Sequence, residues 1–227
     1  MALTLYFHPL ASFCWKPLIA LYENATPFKP VVVDLMDAQS VAAFKAVWPM
    51  AKFPVLRDDG RGCTVAESTT VIEYLDTFHS GATRLVPQDP DAAWQARMWD
   101  RFHDEYVHKP MQKIVTDRLR PENRRDPFGV GEARAQIAEA YELLESEMAA
   151  KRWAIGDEFT LADCSAAPAL FYANTVEPFG GRKHLNAYLD RLMHRASFAR
   201  VLAEAEPYFS MFPLDPKPTR VRAPALS

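Results

Sequence analysis

Strand-forming patterns in this chain are confined to its first third. Leu3 to Phe7 and Phe28 to Val33 are short runs rich in apolar and β-branched residues, which predicts two strands. Between them, Cys14 to Asn24 carries apolar residues at helical spacing. Two strands bridged by a helix favour a parallel βαβ unit. Because a proline is tolerated only in the first helical turn, Pro17 predicts that the helix begins near residue 13 or 14.

A hairpin and two more helices complete the pattern of the first 80 residues. Ser40 to Val47 predicts a short helix. Pro54 to Arg57 and Cys63 to Ala66 predict strands, and the turn-forming residues 58–62 between them favour a hairpin. A helix from about Ser68 to His79 follows. The order βαβ, helix, hairpin, helix predicts an α/β, thioredoxin-like domain over residues 1–80.

Beyond residue 80 every predicted element is a helix. Residues 81–90 contain two prolines and several polar side chains, which is typical of a linker. Thr160 and Asp163 form a capping-box pair ahead of an unusually apolar helix. We therefore predict an all-helical bundle domain over 91–206 and an irregular tail over 207–227. The predicted helices span 91–119, 132–150, 161–176, 182–194 and 198–206.

Charge and cysteine content exclude several classes of function. A formal net charge of −3 provides no broad basic surface for nucleic acid or an anionic membrane. No apolar stretch reaches the roughly 18 residues that a membrane span needs. Three scattered cysteines are too few for a disulfide framework, which favours a reducing cytoplasm. The closest histidines, His103 and His108, are spaced wrongly for two ligands on one helical face, so we expect no metal site.

The most specific motif is the stretch from Trp48 to Leu56, followed by Glu67-Ser68-Thr69 thirteen residues after Pro54. Here the chain resembles the glutathione transferase family, whose members show Asn-Pro-x-x-Lys-Val-Pro-x-Leu and then an acidic or amide residue followed by serine at a helix start. Trp48 replaces the usual asparagine, and Phe53 the usual valine or isoleucine. The resemblance implies that glutathione is a co-substrate and that the protein is an enzyme.

The resemblance also implies how glutathione is held. A cis peptide bond at Pro54 would turn the backbone of Phe53 toward the cysteinyl backbone of the tripeptide, like an added strand. Ser68, at a helix N-terminus, would hold the γ-glutamyl carboxylate, while Glu67 would pair with the α-amino group. The glycine carboxylate would meet Lys52 and a polar residue at Gln39. Without a ligand, Glu67 to Thr69 would be an ordinary helix cap.

The loop after the first strand offers three candidates for activating the glutathione thiol. A thiol of pKa near 8.5 needs about 2.7 kcal/mol of thiolate stabilisation to lower its pKa by about two units. Ser12, four residues before Lys16, matches the serine-type members and is our first choice, and it can also cap the helix. Cys14 would instead form a mixed disulfide, as in cysteine-type relatives, or serve as a small buried apolar residue. Tyr6 matches tyrosine-type members, but its place within a strand favours packing.

The acceptor pocket is expected between the domains, with a small, largely apolar electrophile as substrate. Candidate wall residues are His8, Leu10, Tyr106, Met111 and Val115. The resemblance further implies a twofold homodimer. Three alternatives remain open: a glutathione-dependent thiol reductase using Cys14, an isomerase acting on maleylacetoacetate-like diacids, and a non-catalytic protein of the same fold. The isomerase class normally carries a Ser-Ser-Cys triplet and paired arginines, neither of which is complete here.

Overall fold

A four-stranded mixed sheet forms the core of the amino-terminal part of the chain. The computed structural model describes residues 3–220. The strands lie in the order β2-β1-β3-β4, with β1 parallel to β2 and antiparallel to β3, and with β3 and β4 forming the predicted hairpin. The thioredoxin-like arrangement is therefore confirmed. The elements are β1 (Leu3–Phe7), α1 (Ser12–Glu23), β2 (Lys29–Val32), α2 (Ala38–Val47), β3 (Val55–Asp58), β4 (Cys63–Ala66) and α3 (Ser68–Phe78).

Helix α1 starts earlier than Pro17 had suggested. Its first residue is Ser12, so Pro17 lies inside the helix as its sixth residue. Proline lacks the N–H that would bond to the Phe13 carbonyl one turn earlier, and the helix continues because its interior face is held by packing. Ala11 occupies the N-cap position, which leaves the Ser12 hydroxyl available for another partner. The predicted capping role of Ser12 is therefore wrong.

The remaining elements of the described chain are helical, which confirms the predicted all-helical second part. Helix α7 is buried from Leu161 to Ala173 and forms its centre. The Thr160–Asp163 capping box is present, and the Asp163 carboxylate also accepts bonds from the Ala154 N–H and, at 2.6 Å, the Tyr188 hydroxyl. The α-helices are α4 (Pro90–Phe102), α5 (Lys109–Arg118), α6 (Pro127–Met148), α7 (Leu161–Val176), α8 (Lys183–Met193) and α9 (Ala196–Ala205).

The long helix predicted over 91–119 is interrupted in its middle. Residues His103–His108 form a π-helical segment between α4 and α5. Pro110, which cannot donate a backbone hydrogen bond, follows two residues later. Such segments contain one extra residue in the turn and often occur at functional sites. The π-helical segment places His103 and His108 inside the protein, where each residue is at most 1% exposed to solvent.

The two parts of the chain share one hydrophobic core. Trp15 of α1 is fully buried, and its ring lies 4.8 Å from Tyr172 and 5.5 Å from Phe171 of α7. The segment after α9 contributes as well: Glu206–Met211 is a 3-10 helix, and Phe209 packs against Trp15 and Phe171. The start of the expected irregular tail is therefore ordered, while residues 221–227 lie outside the described residues. Within 3–220, no helix is long and apolar enough to cross a membrane.

Candidate functional site

A cavity of about 740 Å³ lies between the sheet domain and the helical domain. Its sheet-domain wall comes from the residue after Ser12, the loop before α2, the entrance to β3 and the start of α3. Its other wall comes from the π-helical segment and the helix ends on either side. The lining residues are Phe13, Leu35, Ala51, Lys52, Phe53, Pro54, Glu67, Ser68, Thr69, Thr70, Arg101, Asp104, Glu105, Lys109 and Gln112.

The entrance to β3 brings three of the predicted residues to this cavity. Lys52 is exposed there, Phe53 is half-buried, and Pro54 is buried directly before the first residue of β3. The peptide bond between Phe53 and Pro54 is cis. The Phe53 ring packs near two others, with its centroid 6.2 Å from His8 and 6.2 Å from Phe44. These ring contacts help to position Phe53 beside the cavity.

The start of α3 brings two more predicted residues to the same wall. Glu67 has φ of 68° and ψ of 122°, a backbone conformation that a residue with a side chain adopts at an energetic cost. Its side chain is exposed and does not cap the helix, whereas Ser68 is the first helical residue and is buried. The first N–H groups of an α-helix have no partner within the helix and attract negative charge. The ordinary-cap interpretation of Glu67 therefore fails, and this wall can bind a group that carries both charges.

Ser12 lies behind the cavity wall and contacts the other domain. Only 5% of its surface is exposed, and the cavity lining contains its neighbour Phe13 but not Ser12 itself. The Ser12 hydroxyl is hydrogen-bonded to Nε2 of His108. The His108 ring is stacked on the Phe13 ring, with centroids 3.9 Å apart and planes within 13°. The residue of the sheet domain that we favoured for thiol activation is therefore fixed by a histidine of the helical domain.

A buried cluster of charges joins the domains next to Ser12. The Lys16 ammonium lies 2.9 Å from an Asp100 oxygen and 2.7 Å from an Asp104 oxygen, and it donates to the Thr69 hydroxyl, which in turn donates to Asp100. Burial raises the pKa of Asp100, although Lys16 opposes this effect. Burial would also raise the pKa of Asp104, but His108 and Lys16 together hold that pKa well below its usual range. Asp104 is therefore ionised and forms part of the cavity wall.

The two alternative thiol-activating residues occupy less suitable positions. Cys14 is completely buried in the core, and burial raises the pKa of its thiol. A buried thiol of raised pKa is neither accessible nor largely ionised at neutral pH. Tyr6 lies within β1 with its ring stacked 5.8 Å from Phe44, in agreement with the expected packing role.

The predicted acceptor-pocket residues and Gln39 lie elsewhere. Gln39 is exposed in the first turn of α2. Met111 is 3% exposed within the core, Tyr106 is exposed beside Phe102, and His8, Leu10 and Val115 are half-buried. Of the described residues that line the cavity, none belongs to this group. On the helical side the wall is polar, formed by Arg101, Asp104, Glu105, Lys109 and Gln112.

Several residues that build this site had no role in it predicted from the sequence. Asp104 and His108 lie in the π-helical segment, and Thr69 lies in the helix-start motif with no chemistry assigned to it. His103 and His108 had been considered only as a metal-ligand pair. The recognisable signal was chemical: charged residues and histidines recur on one stretch, residues 100–109, of an otherwise amphipathic helix.

Comparisons with known proteins relate this architecture to one family. The model for the glutathione S-transferase N-terminal domain matches residues 5–83, and that for the glutathione S-transferase C-terminal domain matches residues 92–191. Glutathione S-transferase F10 of Arabidopsis thaliana is 26% identical over 90% of this chain and 98% of its own length. A probable maleylacetoacetate isomerase of Caenorhabditis elegans is 29% identical over 75% of this chain and 78% of its own.

Solved structures agree with the sequence comparisons. A glutathione S-transferase from Methylobacterium radiotolerans, in complex with glutathione sulfonate, superposes with a TM-score of 0.75. It is 26% identical, and the match covers 88% of this chain and 94% of that one. Both domains of this chain, in the same order, therefore have counterparts in that structure.

Proposed function

Because this chain belongs to the glutathione S-transferase family, we propose that its interdomain cavity binds glutathione and activates the thiol for attack on an electrophile. The observation that carries this proposal is the meeting of Lys52, Phe53, Pro54, Glu67 and Ser68 in one cavity wall. These residues come from two separate segments of the chain. Together they offer a cation, a carboxylate, a helix N-terminus and a backbone edge, which matches the groups of a tripeptide with two carboxylates and one amine.

The γ-glutamyl end of glutathione is assigned to the start of α3. The Ser68 hydroxyl and the first N–H groups of α3 bind the α-carboxylate, since a helix N-terminus favours an anion. The exposed Glu67 carboxylate pairs with the α-amino group as a charge-assisted hydrogen bond. The costly backbone conformation of Glu67 supports this assignment, because such conformations persist where function requires them.

The rest of the tripeptide is assigned along the entrance to β3. The Phe53 N–H and C=O bind the cysteinyl backbone as an added strand would. Lys52 binds the glycine carboxylate as an exposed point charge. Gln39 of α2 remains a proposed second partner for that carboxylate. It lies outside the cavity lining, so the glycine end of the bound tripeptide would extend beyond the cavity to reach it.

Thiol activation is assigned to Ser12 together with the N-terminus of α1. Ser12 is the first residue of that helix, and its neighbour Phe13 lines the cavity. A hydroxyl that donates to the thiolate, aided by the positive end of the helix dipole, lowers the thiol pKa. Cys14 is not favoured for this role because its thiol is inaccessible in the core.

The proposal is tested by calorimetric titration with glutathione and by ultraviolet absorbance of the bound thiolate. Wild type, Ser12→Ala and Cys14→Ala would be compared, with conjugation of a chlorodinitrobenzene and reduction of a glutathione mixed disulfide as activity assays. We expect wild type and Cys14→Ala to form thiolate and conjugate, and Ser12→Ala to bind glutathione with less thiolate. Absence of glutathione binding by wild type would overturn the proposal. Loss of disulfide reduction in Cys14→Ala alone would favour the reductase instead.

The polar side chains on the helical wall of the cavity influence which electrophile can bind. Arg101 and Lys109 each pair with a neighbouring carboxylate, Asp100 at 2.7 Å and Glu105 at 2.5 Å. A small electrophile that carries its own polar groups would meet donors and acceptors here. The isomerase alternative is tested in the same assays with a maleyl diketo acid as substrate, and turnover of that acid would favour it over conjugation.

We also propose that the protein is a twofold homodimer in the cytoplasm. Exposed apolar side chains on α3 and α4 support a dimer: Phe78, Trp94 and Met98 are 48%, 55% and 41% exposed. The two helices are linked by an ion pair of 2.5 Å between Glu73 and Arg97. Light scattering of wild type and Trp94→Glu tests this, with a dimer in wild type and a shift toward monomer in the variant expected. Free cysteines at all three positions support a reducing compartment.

A further inference from the structure

The Ser12 hydroxyl has one proton, and His108 decides which way it points. His108 is fully buried, and its Nε2 is the hydrogen-bond partner of the Ser12 oxygen. The two residues are 96 positions apart in sequence and belong to different domains. The Phe13 ring, stacked on the imidazole, holds the ring plane in place. Ser12 thus faces a titratable group on its buried side.

The second nitrogen of His108 faces a carboxylate. Nδ1 lies 3.9 Å from an Asp104 oxygen, too far for a hydrogen bond, and has no hydrogen-bond partner among residues 3–220. The Asp104 carboxylate is fixed by Lys16 at 2.7 Å and by the Ser165 hydroxyl at 3.0 Å. It is therefore a fixed negative charge behind the ring, on the side opposite to Ser12.

Electrostatics select the tautomer of the neutral ring. A neutral imidazole carries one N–H, and the nearby carboxylate favours placing that hydrogen on Nδ1. Nε2 then has a lone pair and accepts the hydrogen bond from the Ser12 O–H. The Ser12 oxygen keeps its own lone pairs for a donor that arrives from the cavity. The free protein is therefore arranged to receive a proton at Ser12.

We propose that His108 is a positioning residue which, acting through Ser12, takes up the proton that the glutathione thiol releases. This inference rests on the proposed function. The S–H bond breaks and an O–H bond forms at Ser12, while the original Ser12 O–H bond breaks and an N–H bond forms at Nε2. The products are a thiolate and an imidazolium. Ser12 then donates its new O–H to the thiolate, and the Asp104 carboxylate offsets the charge of the imidazolium.

The charges around His108 oppose one another. Burial lowers the pKa of His108, Asp104 raises it, and Lys16 of α1 lowers it. Asp100 of α4 pairs with Lys16, and His103 is a second buried imidazole of the same segment. The ring is thus neutral at neutral pH until a thiolate forms nearby, since a new negative charge favours the imidazolium. The thiolate and the imidazolium therefore stabilise each other.

The variant His108→Gln tests the proton transfer without removing the hydrogen bond. A glutamine amide can reach Ser12 but cannot take up a proton. At a pH where wild type is half thiolate, we expect about fivefold less bound thiolate in His108→Gln, which corresponds to a rise of about one unit in the thiol pKa. The dissociation constant for glutathione should change by less than about threefold. In a Ser12→Ala background the same change should have no further effect.

The matched control is His103→Gln, which changes a buried imidazole of the same segment that does not contact Ser12. It should leave the thiolate fraction unchanged. An unchanged thiolate fraction in His108→Gln, with glutathione still bound, would overturn this inference alone. Failure of wild type to bind glutathione would overturn the proposed function as well.

A measurement on wild type keeps the inference testable if the variants do not fold. Histidine labelled with nitrogen-15 reports by NMR whether both ring nitrogens carry protons. We expect a buried histidine to become an imidazolium with glutathione bound and to stay neutral with S-methylglutathione, which has no thiol proton. A histidine that stays neutral with both ligands, while thiolate absorbance is present, would overturn the proposal.

Discussion

Lys16 of α1 and Asp100 of α4 form an ion pair of 2.9 Å in which neither side chain is exposed to solvent. The pair crosses from the sheet domain to the helical domain. Asp104 adds a second carboxylate to the same ammonium, and Thr69 bridges Lys16 and Asp100. Burying charged groups is energetically costly unless each has a partner of opposite charge. The cluster therefore stabilises the contact between the two domains only when all of its charged members are present.

Replacing Lys16 with methionine is expected to destabilise the protein strongly. The change leaves the largely buried Asp104 carboxylate without its lysine partner and the buried Asp100 carboxylate with only the exposed Arg101, which costs about 3 to 5 kcal/mol of unfolding free energy at neutral pH. Urea unfolding measures this loss. The control is Lys109→Met, which removes an exposed pair with Glu105 and should cost less than about 1 kcal/mol. Equal losses in the two variants would show that the buried cluster contributes no more than a surface pair.

Acid should destabilise the protein through His103. Burial lowers the pKa of this residue from 6.5 to about 4, and its Nε2 has no hydrogen-bond partner within the described chain. Below pH 6.5 the unfolded state therefore binds a proton that the folded state does not, and the unfolding free energy falls as the pH decreases toward 4. Between pH 7 and pH 5 this one group removes about 2 kcal/mol.

The measurement is urea unfolding of wild type and of His103→Gln, each at pH 7 and at pH 5. Glutamine does not titrate, so the variant should lose about 2 kcal/mol less than wild type over this interval. The same dependence on pH in both proteins would contradict the assignment to His103.

The three cysteines should differ in their reactivity toward iodoacetamide. Cys63 is partly exposed at the edge strand β4, whereas Cys14 and Cys164 are completely buried. Burial also raises the pKa of both buried thiols, so they are protonated at neutral pH. Mass spectrometry of the native protein should find the label on Cys63 alone, and on all three residues in urea. Rapid labelling of Cys14 in the native state would restore the reductase alternative.

Glu67→Gln is expected to weaken glutathione binding without changing the fold. The variant keeps the shape of the side chain and removes the charge that we assign to the α-amino group. Loss of one charge-assisted hydrogen bond of about 1.5 to 3 kcal/mol raises the dissociation constant by about tenfold to a hundredfold. Calorimetric titration with glutathione measures this dissociation constant. Glu73→Gln, on the same helix but paired with Arg97, should leave the affinity unchanged.

Sequence patterns predicted those parts of the site that depend on contiguous residues. Lys52 to Pro54 and Glu67 to Ser68 are recognisable because a strand entrance and a helix start each need particular residue types in a short stretch. The contact between Ser12 and His108 depends on how two domains pack, and no local pattern encodes that packing. The buried position of Lys16 was hidden for the same reason, since a lysine is usually exposed.

The prediction of one continuous helix over 91–119 missed the π-helical segment His103–His108. Met111, a candidate residue for the acceptor wall, lies in the core. The π-helical segment contains an extra residue per turn, which changes the direction of every later side chain. The nearby Pro110 was the one visible sign of the irregularity.

The π-helical segment also changes which neighbouring helices can be contacted by the 29 residues from the start of α4 to the end of α5. One extra residue rotates the face of α5 by about 100° relative to that of α4. Helix α4 packs against α7, while α5 packs mainly against α6. Deleting a single residue between 103 and 108 would restore a regular helix, but it would turn the apolar face of α5 away from α6. An irregularity of one residue thus lets one continuous helix serve two different neighbours.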